Sequence, residues 1–134
     1  ADSADQPAED RQMVRPGASV LVIDDDGDVR GFIAEALADL HYRVREAADG
    51  KSGLEAIAED RPDLVVLDFV MPEMSGAEVA GRILADHPDQ KILFVSGYSE
   101  TEAIRKVAPG APLLSKPFRG EALCKAVEQA LSDG

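Results

Sequence analysis

The sequence predicts an α/β protein: a (βα)5 doubly wound, five-stranded parallel sheet. Two observations carry that prediction. Three short, continuous apolar runs rich in β-branched residues, Val20-Leu21-Val22-Ile23, Leu64-Val65-Val66-Leu67 and Ile92-Leu93-Phe94-Val95, suit strands buried on both faces. Segments with apolar residues at helical spacing alternate with them, and strands alternating with helices imply right-handed crossovers that cover the sheet on both sides.

The elements follow in order. Residues 1–17 are acidic, without periodicity, and read as a flexible tail or linker that ends at Pro16-Gly17; the folded domain is expected over 18–134. Val20–Ile23 is the first strand. Val29, Phe32, Ile33, Ala36, Leu37 and Leu40 fall at i, i+3, i+4, i+7, i+8 and i+11, one apolar stripe of a first helix. Tyr42–Ala48, with Val44 and Ala47, reads as a weaker strand nearer an edge, and Leu54, Ile57 and Ala58 mark a second helix. After Leu64–Leu67, the capping-box pattern Ser75-Gly76-Ala77-Glu78 opens a third helix through Val79, Ile83 and Leu84. After Ile92–Val95, Ser99-Glu100-Thr101-Glu102 is a second capping box, opening a fourth helix through Ile104 and Val107. Pro112-Leu113-Leu114 is a weak fifth strand, and Leu123, Ala126, Val127, Ala130 and Leu131 mark the fifth helix.

The chain of 134 residues fits one core. Its net charge of −12 argues against binding nucleic acid or inserting into an anionic membrane, which favour a positive field. The single cysteine, Cys124, excludes an intrachain disulfide and a Cys-rich zinc site. No apolar run is long enough for a membrane span or a signal-peptide core, so a reduced, cytoplasmic setting is expected. Ala1 in place of Met is what a processed chain or a piece of a longer one would show.

In open α/β sheets the working site lies past the carboxyl ends of the strands. After the first run stands Asp24-Asp25-Asp26-Gly27-Asp28, after the third Asp68, after the fourth Ser96-Gly97, and after the fifth Ser115-Lys116-Pro117-Phe118. Three carboxylates brought within a few Å repel by roughly a few kcal/mol per pair at an effective dielectric near 20. Lys116 offsets part of this, and a hard divalent cation such as Mg²⁺, which favours oxygen ligands, offsets more. Helix capping accounts for Asp26 or Asp28. It does not account for Asp24 and Asp25 ending one strand, Asp68 another and Lys116 a third.

These motifs, Val22-Ile23-Asp24-Asp25-Asp26, Leu67-Asp68-Phe69-Val70-Met71-Pro72 with Gly76, Val95-Ser96-Gly97-Tyr98 and Lys116-Pro117-Phe118, stand in the order and spacing of a known family. From about Ser19 to Leu131 the chain resembles a response-regulator receiver domain of two-component phosphorelays, in the CheY-like superfamily. The resemblance implies a flavodoxin-like strand order, 2-1-3-4-5. It implies Asp68 as phosphoacceptor, with Ser96 and Lys116 assisting catalysis. It implies Mg²⁺ held by Asp24, Asp25, Asp68 and the backbone carbonyl of Val70, and a cis Lys116-Pro117 bond. The expected function is Mg²⁺-dependent transfer of a phosphoryl group from a phosphohistidine to Asp68, switching the surface around helix 4, strand 5 and helix 5. The Ser96 hydroxyl is the expected switch, and the Gly97 amide an expected phosphoryl contact. The expected partner is a histidine kinase or a histidine phosphotransfer domain; the oligomeric state stays open between monomer and weak dimer. Such a domain is a signalling element that catalyses only its own phosphorylation and dephosphorylation.

Two departures from the family pattern stand out. The best-known receivers carry Tyr or Phe on the fifth strand three residues before the lysine; here the position is Leu113. Tyr98 is a candidate replacement, or simply a ring at the start of a loop. The Ser96–Lys116 stretch is short and contains Pro109-Gly110-Ala111-Pro112, which suggests a mobile fourth helix that orders on phosphorylation. Val70 and Tyr98 offer no carboxylate or carboxamide to position a hydrolytic water, so a phosphoryl lifetime that is not especially short is expected. Cys124 is expected in the core, His41 and His87 against the last carbonyls of their helices, and Met71, Pro72 and Met74 either on a partner surface or packed locally.

Other functions fit less well. A haloacid-dehalogenase-type hydrolase wants a second Asp where Val70 stands, and a flavodoxin-like nucleotide binder wants a Gly/Ser/Thr-rich loop where the Asp run stands. A degenerate receiver that only binds partners is not favoured, because the signature side chains are present. With the sequence ending after the fifth helix, a stand-alone receiver or the C-terminal receiver of a hybrid histidine kinase is expected; Ser-Gly-Tyr and Leu-Leu-x-Lys-Pro-Phe resemble the hybrid-kinase type.

Overall fold

Five parallel strands stand in the order β2-β1-β3-β4-β5. The computed structural model describes residues 17–97, 100–107 and 110–132. The chain runs β1 (Ser19–Ile23), α1 (Gly27–Ala38), β2 (Arg43–Ala47), α2 (Gly50–Glu59), β3 (Leu64–Asp68), α3 (Gly76–Asp86), β4 (Lys91–Ser96), α4 (Thr101–Val107), β5 (Leu113–Ser115) and α5 (Gly120–Ser132). This is the predicted (βα)5 order and the flavodoxin-like arrangement. Residues 1–16 of the predicted tail, together with Tyr98 and Ser99, lie outside the described residues. Gly17 is tied to the domain: its amide donates to His41 O at 2.8 Å, and its carbonyl accepts from Arg43 Nε at 2.9 Å.

Alternation along each strand sends side chains to two apolar layers. Val20, Val22, Val66, Leu93 and Val95 meet Ile33 and Leu37 of α1 and Leu123 and Val127 of α5. Leu21, Ile23, Val65, Leu67 and Phe94 meet Ile57 of α2, Val79 and Ile83 of α3 and Ile104 of α4. β1 and β3 are buried along their whole length, as central strands covered on both faces must be, whereas the edge strand β2 has exposed Arg43 and Glu46.

The helix starts follow the local signals. Asp26, rather than Asp28, is the N-cap of α1, accepting from the amides of Asp28 and Val29. Ser75 caps α3 by accepting from Glu78 N at 3.2 Å. Gly76 has a further reason to be glycine. A Cβ there would lie 2.5 Å from Phe69 Cα and 2.6 Å from Asp68 O, so only glycine lets α3 begin against the chain leaving β3.

Two expectations need correction. Phe32 is 45% exposed: the buried line of α1 centres on Ile33 and Leu37, and Phe32 flanks it, its ring tilted against Phe118 with centroids 6.1 Å apart. Cys124 is only half-buried, because Leu123, Val127, Ala130 and Leu131 form the buried line of α5 and Cys124 lies one helical step around from Leu123. His41 and His87 meet carbonyls at the ends of their helices, as expected, and do so through their main-chain amides. His41, at φ 71°, donates its amide to Ala38 O at 2.9 Å, and His87 N–H donates to Ile83 O at 2.7 Å.

Candidate functional site

Strand register decides which residues meet. Ile23 pairs with Leu67, Asp68 with Val95, and Ser96 with Ser115. The tips of β1, β3, β4 and β5 are therefore level, and the residues beyond them share one end of the sheet. The Lys116 amide donates to Ser96 O at 2.8 Å, and the Lys116-Pro117 bond is cis, as the resemblance implies.

Asp24 and Asp68 are buried, with 1% and 4% of their surface exposed, while Asp25 is exposed. Each of the three offers a carboxylate oxygen, and these oxygens lie within 4.8 Å of one another. Lys116 Nζ donates to Asp68 Oδ1 at 3.2 Å. Asp24 Oδ1 accepts from Asp26 N at 2.9 Å, while Asp24 Oδ2 is buried with no hydrogen-bond partner among the described residues. Ser96 is 1% exposed, and its hydroxyl likewise has no partner among the described residues. Val70, two residues past Asp68, is an exposed loop residue.

Burial pushes the Asp68 carboxyl up to about 6; the Asp24 charge adds to the rise and Lys116 opposes it. Asp24 is also raised, foremost by burial, with the Asp26 amide and Lys116 pulling it back. Burial alone would lower Lys116, but the charge and hydrogen bond of Asp68 outweigh it and hold the ammonium above its ordinary value. Thus the cation is firmly charged, while the carboxyl groups resist ionising together. A divalent cation here would favour the ionised forms. An all-oxygen donor set with a buried, unpartnered carboxylate oxygen fits a hard divalent metal ion.

Two further contributors belong to none of the strand-tip sequence motifs. Arg30 of α1 donates from Nη1 to Asp24 O at 2.8 Å and from Nε to Glu46 at 3.1 Å, pinning the chain where it leaves β1. No short-range pattern marks it, because its partners are brought close by the fold. The second is Glu100, whose Oε1 accepts from Gly97 N at 2.5 Å. The sequence places this glutamate inside a capping box; its position three residues after a glycine at a strand tip was the signal available.

Of the switch candidates, Ser96 stands at the site. Leu113 lies on β5 opposite Phe94 and packs, half-buried, against the apolar layer under α2, α3 and α4. Tyr98 lies outside the described residues. Met71 is buried and Met74 partly buried in that same layer, which favours local packing for both; Pro72 is exposed.

A family model described as the response regulator receiver domain matches residues 20–128. The chain is 36% identical over 118 residues to the response regulator receiver protein CpdR of Brucella abortus, covering 84% of this chain and 95% of that protein. It is 36% identical over 140 residues to sensor kinase CckA of the same organism, covering 98% of this chain but only 15% of the kinase. The crystal structure of the receiver domain of NtrX from Brucella abortus superposes with a TM-score of 0.80 at 31% identity, covering 86% of this chain and 99% of that one. With most of its folded part matched by the family model, and with relatives above 30% identity along nearly their whole length, this chain belongs to the response-regulator receiver domains of two-component signalling.

Proposed function

We propose that the domain is a phosphoacceptor switch in which Asp68 takes a phosphoryl group from a phosphohistidine on a histidine kinase or a histidine phosphotransfer domain. The observation that carries this is the pairing of a buried strand-tip carboxylate with Lys116 at 3.2 Å, inside an acidic cluster with Asp24 and Asp25. An oxygen of Asp68 attacks phosphorus, the P–N bond breaks, and the imidazole leaves with the electron pair and takes up a proton. Mg²⁺, held by Asp24, Asp25, Asp68 and the Val70 carbonyl, would supply positive charge for the equatorial oxygens. Lys116 stabilises the same charge from the protein side, and the Ser96 hydroxyl donates to the transferred group. Attack by water on the acyl phosphate later returns Asp68.

The output is a change in the surface formed by α4, β5 and α5. The domain acts on no other substrate, so it is a signalling element rather than an enzyme. Among the described residues no helix is long and apolar enough to cross a membrane, and a phosphohistidine donor implies a cytoplasmic setting. The match to sensor kinase CckA along 98% of this chain supports placement as the receiver of a hybrid histidine kinase.

The test is uptake of acid-labile phosphate from acetyl phosphate. Wild-type protein is labelled only with Mg²⁺ present, and Asp68→Asn is not labelled. Label that survives in the variant, or in wild type under excess chelator, refutes the assignment. Failure of wild type to take phosphate from any competent donor leaves a domain that only binds partners.

A further inference from the structure

The Gly97 amide, an expected phosphoryl contact, already has an anionic partner. Its N–H donates to Glu100 Oε1 at 2.5 Å, and the Glu100 amide approaches Gly97 O at 3.5 Å. The carboxylate sits against the open face of the glycine, since a Cβ on Gly97 would lie 3.0 Å from Oε1. Ser96, the preceding residue, has a buried hydroxyl with no partner among the described residues. Of two neighbouring donors at this strand tip, one is open and one is taken.

We propose that the Glu100 carboxylate is a built-in competitor for the phosphoryl group: it holds the Gly97 amide in the unphosphorylated domain and is displaced when Asp68 is phosphorylated. This rests on the phosphoacceptor reading of Asp68. A short hydrogen bond from an amide to a carboxylate is among the stronger kinds, and one N–H cannot serve two anions at full strength. A carboxylate and a phosphoryl group side by side also repel. The two states exclude each other, so whatever raises phosphoryl occupancy releases Glu100, and whatever holds Glu100 in place disfavours phosphorylation. Glu100 directly precedes Thr101, the first residue of α4, so its release is felt first where α4 begins. That gives the domain a path to α4 that needs no aromatic ring on β5, where Leu113 is packed into the apolar layer instead.

The experiment measures binding of beryllofluoride with Mg²⁺ to wild type, Glu100→Gln and Glu100→Ala, following backbone amide resonances including that of Gly97. Removing the competing acceptor tightens beryllofluoride binding about tenfold in Glu100→Ala, the scale of one hydrogen bond to a charged group. Glu100→Gln keeps an acceptor without the charge and falls between. Before beryllofluoride is added, the Gly97 amide proton moves upfield in Glu100→Ala, as expected on losing a short bond. Should Glu100→Ala fail to fold, Glu100→Gln decides alone. Wild type that does not bind beryllofluoride at all refutes the phosphoacceptor reading itself. Wild type that binds, with the folded variants within twofold of it or weaker, overturns the competitor role alone.

Discussion

At the amino ends of the strands, the polar groups are matched. The buried Ser19 amide donates to Asp63 Oδ2 at 2.8 Å, Arg61 reaches Gln90 at 2.9 Å and Asp89 at 2.8 Å, and Lys91 Nζ donates to Leu131 O at 2.7 Å at the end of α5. At the carboxyl ends, two buried carboxyl groups crowd a third with Lys116 among them, and Asp24 Oδ2 and Ser96 Oγ have no partner among the described residues. The same sheet thus uses polar groups to fasten loops at one end and holds them in an unfavourable arrangement at the other. Native structures leave few buried polar groups unpaired, and those they leave tend to be functional. Substitutions at the two ends should therefore move stability and function separately.

The largest expected effect is on function at the carboxyl end. Lys116→Met removes the ammonium bonded to Asp68 while keeping much of the side chain's bulk. Phosphate uptake from acetyl phosphate should fall about 100-fold, the scale of losing one preorganised charge at a developing anion. Initial rates of label incorporation at saturating Mg²⁺ measure it. A loss under threefold would mean that Lys116 only balances charge in the resting domain.

Next comes a gain in stability at that same end. Asp68 has its carboxyl raised to about 6 in the folded domain, above its unfolded value near 3.8. Between those values the folded state holds a proton that the unfolded state has released. Stability from this group is therefore fully present below about pH 4 and is lost as pH rises through about 6. Asparagine is neutral throughout. In chelator at pH 7, Asp68→Asn should be more stable than wild type by about 2 kcal/mol, and the two should converge below pH 4. Urea unfolding at pH 7 and at pH 3.5 measures both. An Asp68→Asn variant less stable than wild type at pH 7 would show that the ion pair with Lys116 outweighs burial.

How far the sequence reveals each end follows from the range of the interactions. β1, β3 and β4 were visible because a strand buried on both faces must be a continuous apolar run, and Asp24, Asp68 and Lys116 because they end such runs. The partners of Ser19, Arg61 and Lys91 were not, since Asp63, Gln90 and Leu131 are joined to them by folding rather than by spacing. Arg30 on Asp24 O was hidden for the same reason. Glu100 is hidden differently: a glutamate next to Ser99 and Thr101 reads equally well as part of a helix cap, and only the folded chain brings its oxygen onto the Gly97 amide. Phe32 and Cys124 lie beside the buried lines of their helices, because an apolar stripe gives the direction of a helix face but not its width.

The smallest effect belongs to the amino end. Asp63→Ala removes the acceptor of the Ser19 amide, which is buried at the start of the fully buried strand β1. The backbone bond from Asp63 N to Ser19 O at 2.8 Å needs no side chain and stays. Leaving one buried N–H unpaired costs about 1 kcal/mol once water and small shifts relax it. Asp63→Asn keeps a side-chain acceptor and should lose only a few tenths of that. Neither change touches the strand tips that carry Asp24, Asp68 and Lys116, so phosphate uptake from acetyl phosphate should match wild type. Denaturant midpoints and labelling rates on one set of samples decide it. If Asp63→Ala slows labelling as strongly as it lowers stability, the two ends are mechanically coupled through β1, and the unfavourable charge at Asp24 and Asp68 depends on how tightly the opposite end is fastened.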